Sequence, residues 1–363
     1  MTHPVLGDDA SPKRASAGPF DAERESIRAE QDRPRTVSDR GRCLLRDSVV
    51  IDMIQPMENG NLTKYHLLEQ ARAVGFTFVS VTIYPDSDAR ASLDGIGAVR
   101  RYVAEHSDNF IFAHNSLDIA RAQNAGRTAI GVNFQETLPL GGNLDLLPVY
   151  KSLGISHMLL AYNRRNMVAD GCTEVVDNGL SRFGRDVVKE MSKIGILCDG
   201  SHTGYRSSME AMELYDGPFI FSHSNCKAVF NHYRNIADDQ IQACAATGGV
   251  IGINGVGMFL DDPYARAESM FRHIDHVVSL VGETHVGIGL DRMADLDLIY
   301  QYLHDNAAMW PDNDGRPMRF STFSSHAVIG EVVDLMLAHG YSEAAITGYL
   351  GQNFLRVLER VWT

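Results

Sequence analysis

The chain has 363 residues, enough for two domains of about 150 residues or for one α/β barrel of about 250 with additions. Apolar residues make up 44% and charged residues 22%, which excludes wholesale disorder and collagen and supplies a sizeable core. The net charge of −13 (33 basic, 46 acidic residues) speaks against unspecific binding to nucleic acid or anionic membranes.

Five cysteines, Cys43, Cys172, Cys198, Cys226 and Cys244, form no CxxC pair and no disulfide framework, as expected of reduced thiols. No run of about 18 apolar residues is available to span a membrane. The polar N-terminus lacks the apolar stretch of a secretion signal, so the expected location is cytoplasmic.

Residues 1–42 are rich in charged residues, Ser and Pro and read as a polar N-terminal arm or tail. Within them, the stretch from Asp21 to Gln31 suits a polar helix, free or laid on a partner subunit. Residues 43–363 read as one α/β unit. Eight short apolar runs follow in order: Val49–Asp52, Phe76–Ile83, Ala129–Phe134, Met158–Tyr162, Ile196–Cys198, Phe219–Ser222, Val250–Ile253 and Val286–Leu290. Nearly continuous apolar runs suit parallel strands covered on both faces. Phe110–Ala113 suits either an extra strand or a connection.

Helical spacing lies between the runs. Phe183, Val187, Val188, Met191 and Ile194 share one face, with Ser181 as a start and Gly195 as a stop. Leu62–Val74 ends at Gly75, and a helix from Asp238 stops at Gly248-Gly249. The first strand leads into Met-Ile-Gln-Pro-Met-Glu-Asn-Gly, which is no phosphate-binding turn, and there is no P-loop. A TIM-like (β/α)8 barrel is therefore expected over an open nucleotide-binding sheet.

Chemistry in such a barrel gathers at the carboxyl ends of the strands. The fifth run leads into Asp199-Gly-Ser-His202, the sixth into Ser222-His223-Ser-Asn225, and the eighth ends in Gly289-Leu-Asp291. Two histidines and a carboxylate from three strand ends suit a zinc site with one open position. Each histidine alone reads first as a hydrogen-bonded structural residue, and it is their occurrence at successive strand ends with an aspartate at a third that favours the site. His273 and His276 fall on an amphipathic pattern without a third ligand and read as helix-surface residues. Asn163-Arg164-Arg165-Asn166 reads as an anion-holding loop or as a solvated one.

Several segments resemble the renal (membrane) dipeptidase family: Gly179–Met191, Asp199-Gly-Ser-His202, Ile220-Phe-Ser-His223-Ser-Asn, Arg234-Asn-Ile-Ala-Asp-Asp, Gly287-Ile-Gly-Leu-Asp291 and Asn353-Phe-Leu-Arg356-Val. The resemblance runs from about Cys43 onward and implies a metal-dependent hydrolase barrel with two zinc ions that cleaves dipeptides and related amides. It implies His202 and His223 as ligands of one zinc and Asp291 as the proton-transferring carboxylate. It also implies Arg234 as the clamp on the substrate carboxylate, and a homodimer or larger assembly.

The chain departs from that pattern at one metal. Ile54 and Pro56 replace its His and Asp, Asn133 replaces the bridging Glu, and Tyr162 replaces a His that binds the intermediate. Ile and Pro cannot ligate a metal, and a neutral amide bridges two cations poorly. Three functions are expected from this mixture. The first is an enzyme with one zinc on His202, His223 and Asp291, with Arg234, Asn133 and Arg164 toward a small carboxylate substrate and Tyr162 toward an oxyanion. The second is a metal-free acid–base isomerase or lyase, and the third is a non-catalytic binding relative.

Overall fold

The computed structural model describes residues 21–31, 33–57, 66–83, 88–313 and 321–363. Nine parallel strands occur among them: β1 (Ile51–Pro56), β2 (Phe78–Ile83), β3 (Phe110–Phe112), β4 (Thr128–Phe134), β5 (Ile155–Leu159), β6 (Leu197–Asp199), β7 (Ile220–Phe221), β8 (Val250–Asn254) and β9 (Val286–Gly289). Their order is β2-β1-β9-β8-β7-β6-β5-β4-β3. β2 also pairs with β4, from Phe78–Ala129 to Ile83–Phe134, and this closes eight strands into a (β/α)8 barrel.

β3 is the additional strand. It pairs with Thr128–Ile130, the opening half of β4, along the edge that β5 takes over from Val132 onward. The backbone of β4 thus finds partners along its length although β5 begins late. β5 itself covers Ile155–Leu159 rather than Met158–Tyr162. Its neighbour β6 offers three residues, so pairing stops at Leu159 and Tyr162 lies beyond the strand.

Strand alternation divides the barrel into layers. Phe78, Ala129, Leu197, Ile220 and Val250 meet Phe354, Val357, Leu358 and Trp362 in an apolar base, which the helix Asn353–Val361 plugs. One step further along the same strand faces come Ser80, Asp199 and Ser222, with Ser156 of β5, and two steps along β4 comes Asn133, all buried. The opposite faces, with Val79, Val81, Ile130, Val132, Ile251 and Ile288, join the main core beneath the helices.

The helix Arg182–Ile194 begins on Ser181, whose Oγ accepts from the Gly184 amide, and ends on Gly195 at φ 76°. It buries Val187, Val188 and Met191 as the spacing requires. Helix Leu67–Val74 ends on Gly75 at φ 108°; the earlier start expected at Leu62 lies outside the described residues.

The N-terminal segment differs from expectation. Helix Asp21–Gln31 lies on its own chain: Ile27 is buried, Gln31 donates to the Met293 carbonyl at 2.8 Å, and Arg28 pairs with Asp297. Arg35 is buried against Glu331 at 2.8 Å, and Ser38 caps helix Asp39–Asp47 while its amide donates to Asp334 at 2.7 Å. The folded unit therefore begins well before residue 43, because a few ion pairs and one isoleucine suffice to seat a mostly polar segment. Among the described residues, no helix is long and apolar enough to cross a membrane.

Candidate functional site

The carboxyl ends of β6 and β7 aim two imidazoles at one point. His202 Nε2 and His223 Nε2 lie 2.9 Å apart, and both rings are buried. Close backbone contact makes this possible. A Cβ on Gly252 or Gly289 would sit 2.0 or 1.9 Å from the Ser222 carbonyl oxygen, so β8 and β9 admit the end of β7 only because both positions lack a side chain.

Each imidazole is held from behind. Asn163 donates through Nδ2 to the Met309 carbonyl at 3.2 Å, which turns its Oδ1 toward His202 Nδ1 at 2.7 Å. The His202 Nδ1–H therefore donates to Asn163, and its Nε2 carries the lone pair that faces His223. His223 Nδ1 lies 2.7 Å from Ser222 Oγ. A single chain of bonds satisfies all four side chains: Ser222 hydroxyl to His223 Nδ1, His223 Nε2–H to His202 Nε2, and His202 Nδ1–H to Asn163. Burial, with Arg234 nearby, holds both imidazoles well below the usual histidine range, so both are neutral at pH 7.

Arg234 is buried, and its guanidinium lies 5.2 Å from the centre of the Phe259 ring. Its Nη2 reaches the His223 carbonyl at 3.5 Å, the Cys172 thiol lies beside the guanidinium, and its Nε has no hydrogen-bond partner; among the described residues no carboxylate forms a direct ion pair with it, although Asp291 is near enough to feel its charge. A buried cation without a direct ion-pair partner is costly and favours an incoming anion.

Asp291 accepts from Asn254 Nδ2 at 3.2 Å; burial pushes its carboxyl up to about 7, against the opposing pull of Arg234 and Asn254. Burial likewise pushes Asp52 up to about 7, although its Oδ1 accepts from the Ile54 and Leu290 amides. The Tyr162 ring stacks on His202 at 4.2 Å and meets Trp310 edge-on at 5.9 Å.

The other expected positions lie differently. Ile54 is fully buried, and Pro56 ends β1. The Asn133 amide is engaged by β2: Thr82 donates to its Oδ1 at 3.1 Å, and its Nδ2 donates to the Ser80 carbonyl and hydroxyl at 3.2 and 2.9 Å. It acts as a clamp between strands, with no free group for a substrate or a metal. Arg164 is exposed. Among the described residues no three His, Cys, Asp or Glu side chains converge as metal ligands, so the expected trio is reduced to His202 and His223. This donor set does not fit a pair of metals.

His273 corrects the surface reading. It is fully buried in helix Ala267–Val281, and its Nδ1 accepts from the Cys226 amide at 3.0 Å. It lies three residues from Met270 and four from Val277, on the apolar stripe itself. His276 is half-buried and pairs with Asp238 at 2.8 Å. Asn163 and Trp310 were not singled out in the sequence as parts of the centre. The asparagine was legible only as one member of a polar run, and the tryptophan carried no motif.

A family model described as membrane dipeptidase (peptidase family M19) matches residues 61–298. Dipeptidase tcpJ of Claviceps purpurea is 28% identical over 276 residues, covering 75% of this chain and 60% of that protein. The matches span 52–65% of the length of the first curated relatives. An amidohydrolase from Pseudomonas aeruginosa superposes with a TM-score of 0.80 at 28% identity, covering 89% of this chain and 99% of that one. The probable dipeptidase PvdM from Pseudomonas aeruginosa superposes with a TM-score of 0.74 at 19% identity, covering 91% of this chain and 99% of that one, a likeness of fold.

Proposed function

Since the chain belongs to the membrane dipeptidase family, we propose that it is a hydrolase acting on a small peptide-like or amino-acid-derived carboxylate at the His202–His223 centre. The observation that carries this reading is the buried, unpaired Arg234 guanidinium beside two neutral imidazoles.

Arg234 anchors the substrate carboxylate through paired N–H donors. With substrate in place the His223 Nε2–H exchanges its bond to His202 for one to the carbonyl oxygen of the reacting amide, and the His202 Nε2 so released accepts a proton from the water that attacks the carbonyl carbon. Asp291, poised near neutrality, passes that proton to the departing amine nitrogen as the C–N bond breaks, and the Tyr162 hydroxyl donates to the developing oxyanion. His202 and His223 would hold at most one metal, which supplies Lewis-acid polarisation of a carbonyl. A second reading, acid–base isomerisation or elimination without metal, is favoured by the hydrogen-bond chain that is complete from Ser222 to Asn163.

Elemental analysis of the purified protein, with hydrolysis of dipeptides and N-acyl amino acids, tests the reading. Zero or one metal per chain, hydrolysis abolished in His223→Ala, and a KM raised about 100-fold in Arg234→Gln are expected. Two metals per chain, or unchanged turnover in His223→Ala, overturns it.

A further inference from the structure

A cavity of about 300 Å³ opens from the reacting centre toward the helix Leu296–Asp305. Its inner end is formed by Pro56, Thr82, Gln135, Tyr162 and Asp291. The chain thus presents a proline to this space where the family's pattern has a metal-binding aspartate. The walls are Val256, Phe259, Ile299, Leu303, Trp310 and Phe323, a separate apolar cluster above the barrel. Gln301 and Asp305 are exposed and mark the mouth on the outer turns of the same helix.

The lining binds the cavity to the centre. Tyr162 and Trp310 are both in its wall, and both pack on the His202 ring, at 4.2 and 6.1 Å. Phe259 stacks on Trp310 at 6.4 Å and carries the Arg234 guanidinium on its ring. Whatever fills the cavity therefore touches the aromatic groups that hold both the base and the anchor. The volume lies at the lower end of small-molecule pockets, about 300–1,000 Å³, and suits one ring-sized group rather than a long chain. Its walls offer dispersion and apolar burial and few hydrogen bonds, so a polar or charged side chain gains little there.

We propose that this cavity selects substrates with a bulky apolar, preferably aromatic, substituent next to the reacting carbon; the proposal rests on the function given above. The preferred substrate is then a hydrophobic amino-acid derivative with its ring beneath helix Leu296–Asp305 and its carboxylate on Arg234. Small or acidic dipeptides are poor ligands.

The fluorescence of Trp310 reports entry directly, because the other tryptophan, Trp362, is buried in the base of the barrel. Three probes are titrated: 3-phenylpropionate, propionate and benzyl alcohol, with Trp310→Phe identifying the signal. Ile299→Phe narrows the cavity from its half-buried helix without adding a second fluorophore, and Ile299→Asp places a charge in the same wall. We expect 3-phenylpropionate to bind about tenfold or more tighter than propionate, and either variant to reduce that ratio to about twofold. Equal binding of the two acids, or a ratio unmoved in both variants, overturns the proposal. If benzyl alcohol binds as tightly as 3-phenylpropionate and is expelled by Ile299→Phe, the cavity stands and the carboxylate anchor at Arg234 fails.

Discussion

Asn163 Oδ1, 2.7 Å from His202 Nδ1, decides which nitrogen of that imidazole faces the reacting centre. The relationship is directional, because the other end of the same amide is committed to Met309. Nitrogen NMR of the histidine side chains should show His202 as the Nδ1–H tautomer. Asn163→Leu should remove that preference and lower turnover about 10- to 100-fold with little change in KM. A His202 spectrum unaltered by the substitution would refute the assignment.

Asp52 makes the fold sensitive to pH. Its carboxyl is raised from the ordinary 3.8 to about 7, so the folded chain holds a proton that the unfolded chain has released. Stability therefore falls as the pH rises from about 4 to 7 and levels off above that. Asp52→Asn keeps an Oδ1 acceptor for both backbone amides and removes the charge. It should reduce the slope by the share that Asp52 contributes, leaving that of the likewise raised Asp291 and Asp199, and add on the order of 2 kcal/mol above neutrality, with no gain below about pH 4. Urea unfolding at four or five pH values measures both limbs.

The approach of β7 to β9 depends on hydrogen in place of a side chain. Gly289→Ala would place a methyl 1.9 Å from the Ser222 carbonyl oxygen, a fixed backbone atom. We expect a loss of about 2–4 kcal/mol and a displaced His223, seen as weakened ligand binding in the fraction that still folds. Stability and binding indistinguishable from the parent would show that the strands separate easily.

The apolar base supplies a control remote from the chemistry. Trp362 is fully buried and stands edge-on to Phe78 at 5.9 Å. Trp362→Ala should cost about 3–5 kcal/mol in denaturant unfolding, with kcat and KM unchanged in the folded protein.

These residues also show what a linear sequence discloses. Buried parallel strands announce themselves by composition, so the barrel and the strand ends carrying His202, His223 and Asp291 were legible. Asn133 and Tyr162 were found by position, but their partners were not, because Asn133 turns sideways to Ser80 and Thr82 of a neighbouring strand. β5 was displaced because pairing length depends on a short neighbour, β6. His273 was misplaced because a histidine on an apolar stripe looks polar until a buried amide is found for it. The cavity above the barrel left no motif, since walls of Val, Phe, Ile and Trp resemble any core.

Asn163, His202 and Asp291 adopt φ of 59°, 63° and 55°, the left-handed conformation that glycine enters most freely. Asn, His and Asp tolerate it better than other side chains, yet each position is one that backbone preference alone would hand to glycine. Glycine at any of the three would relieve the backbone, yet it would also empty a hydrogen-bonded place, so the side chains and their partners hold one another in position. The left-handed turn at each strand end thus fixes where the three side chains start, and their contacts, rather than backbone preference, decide what stands there.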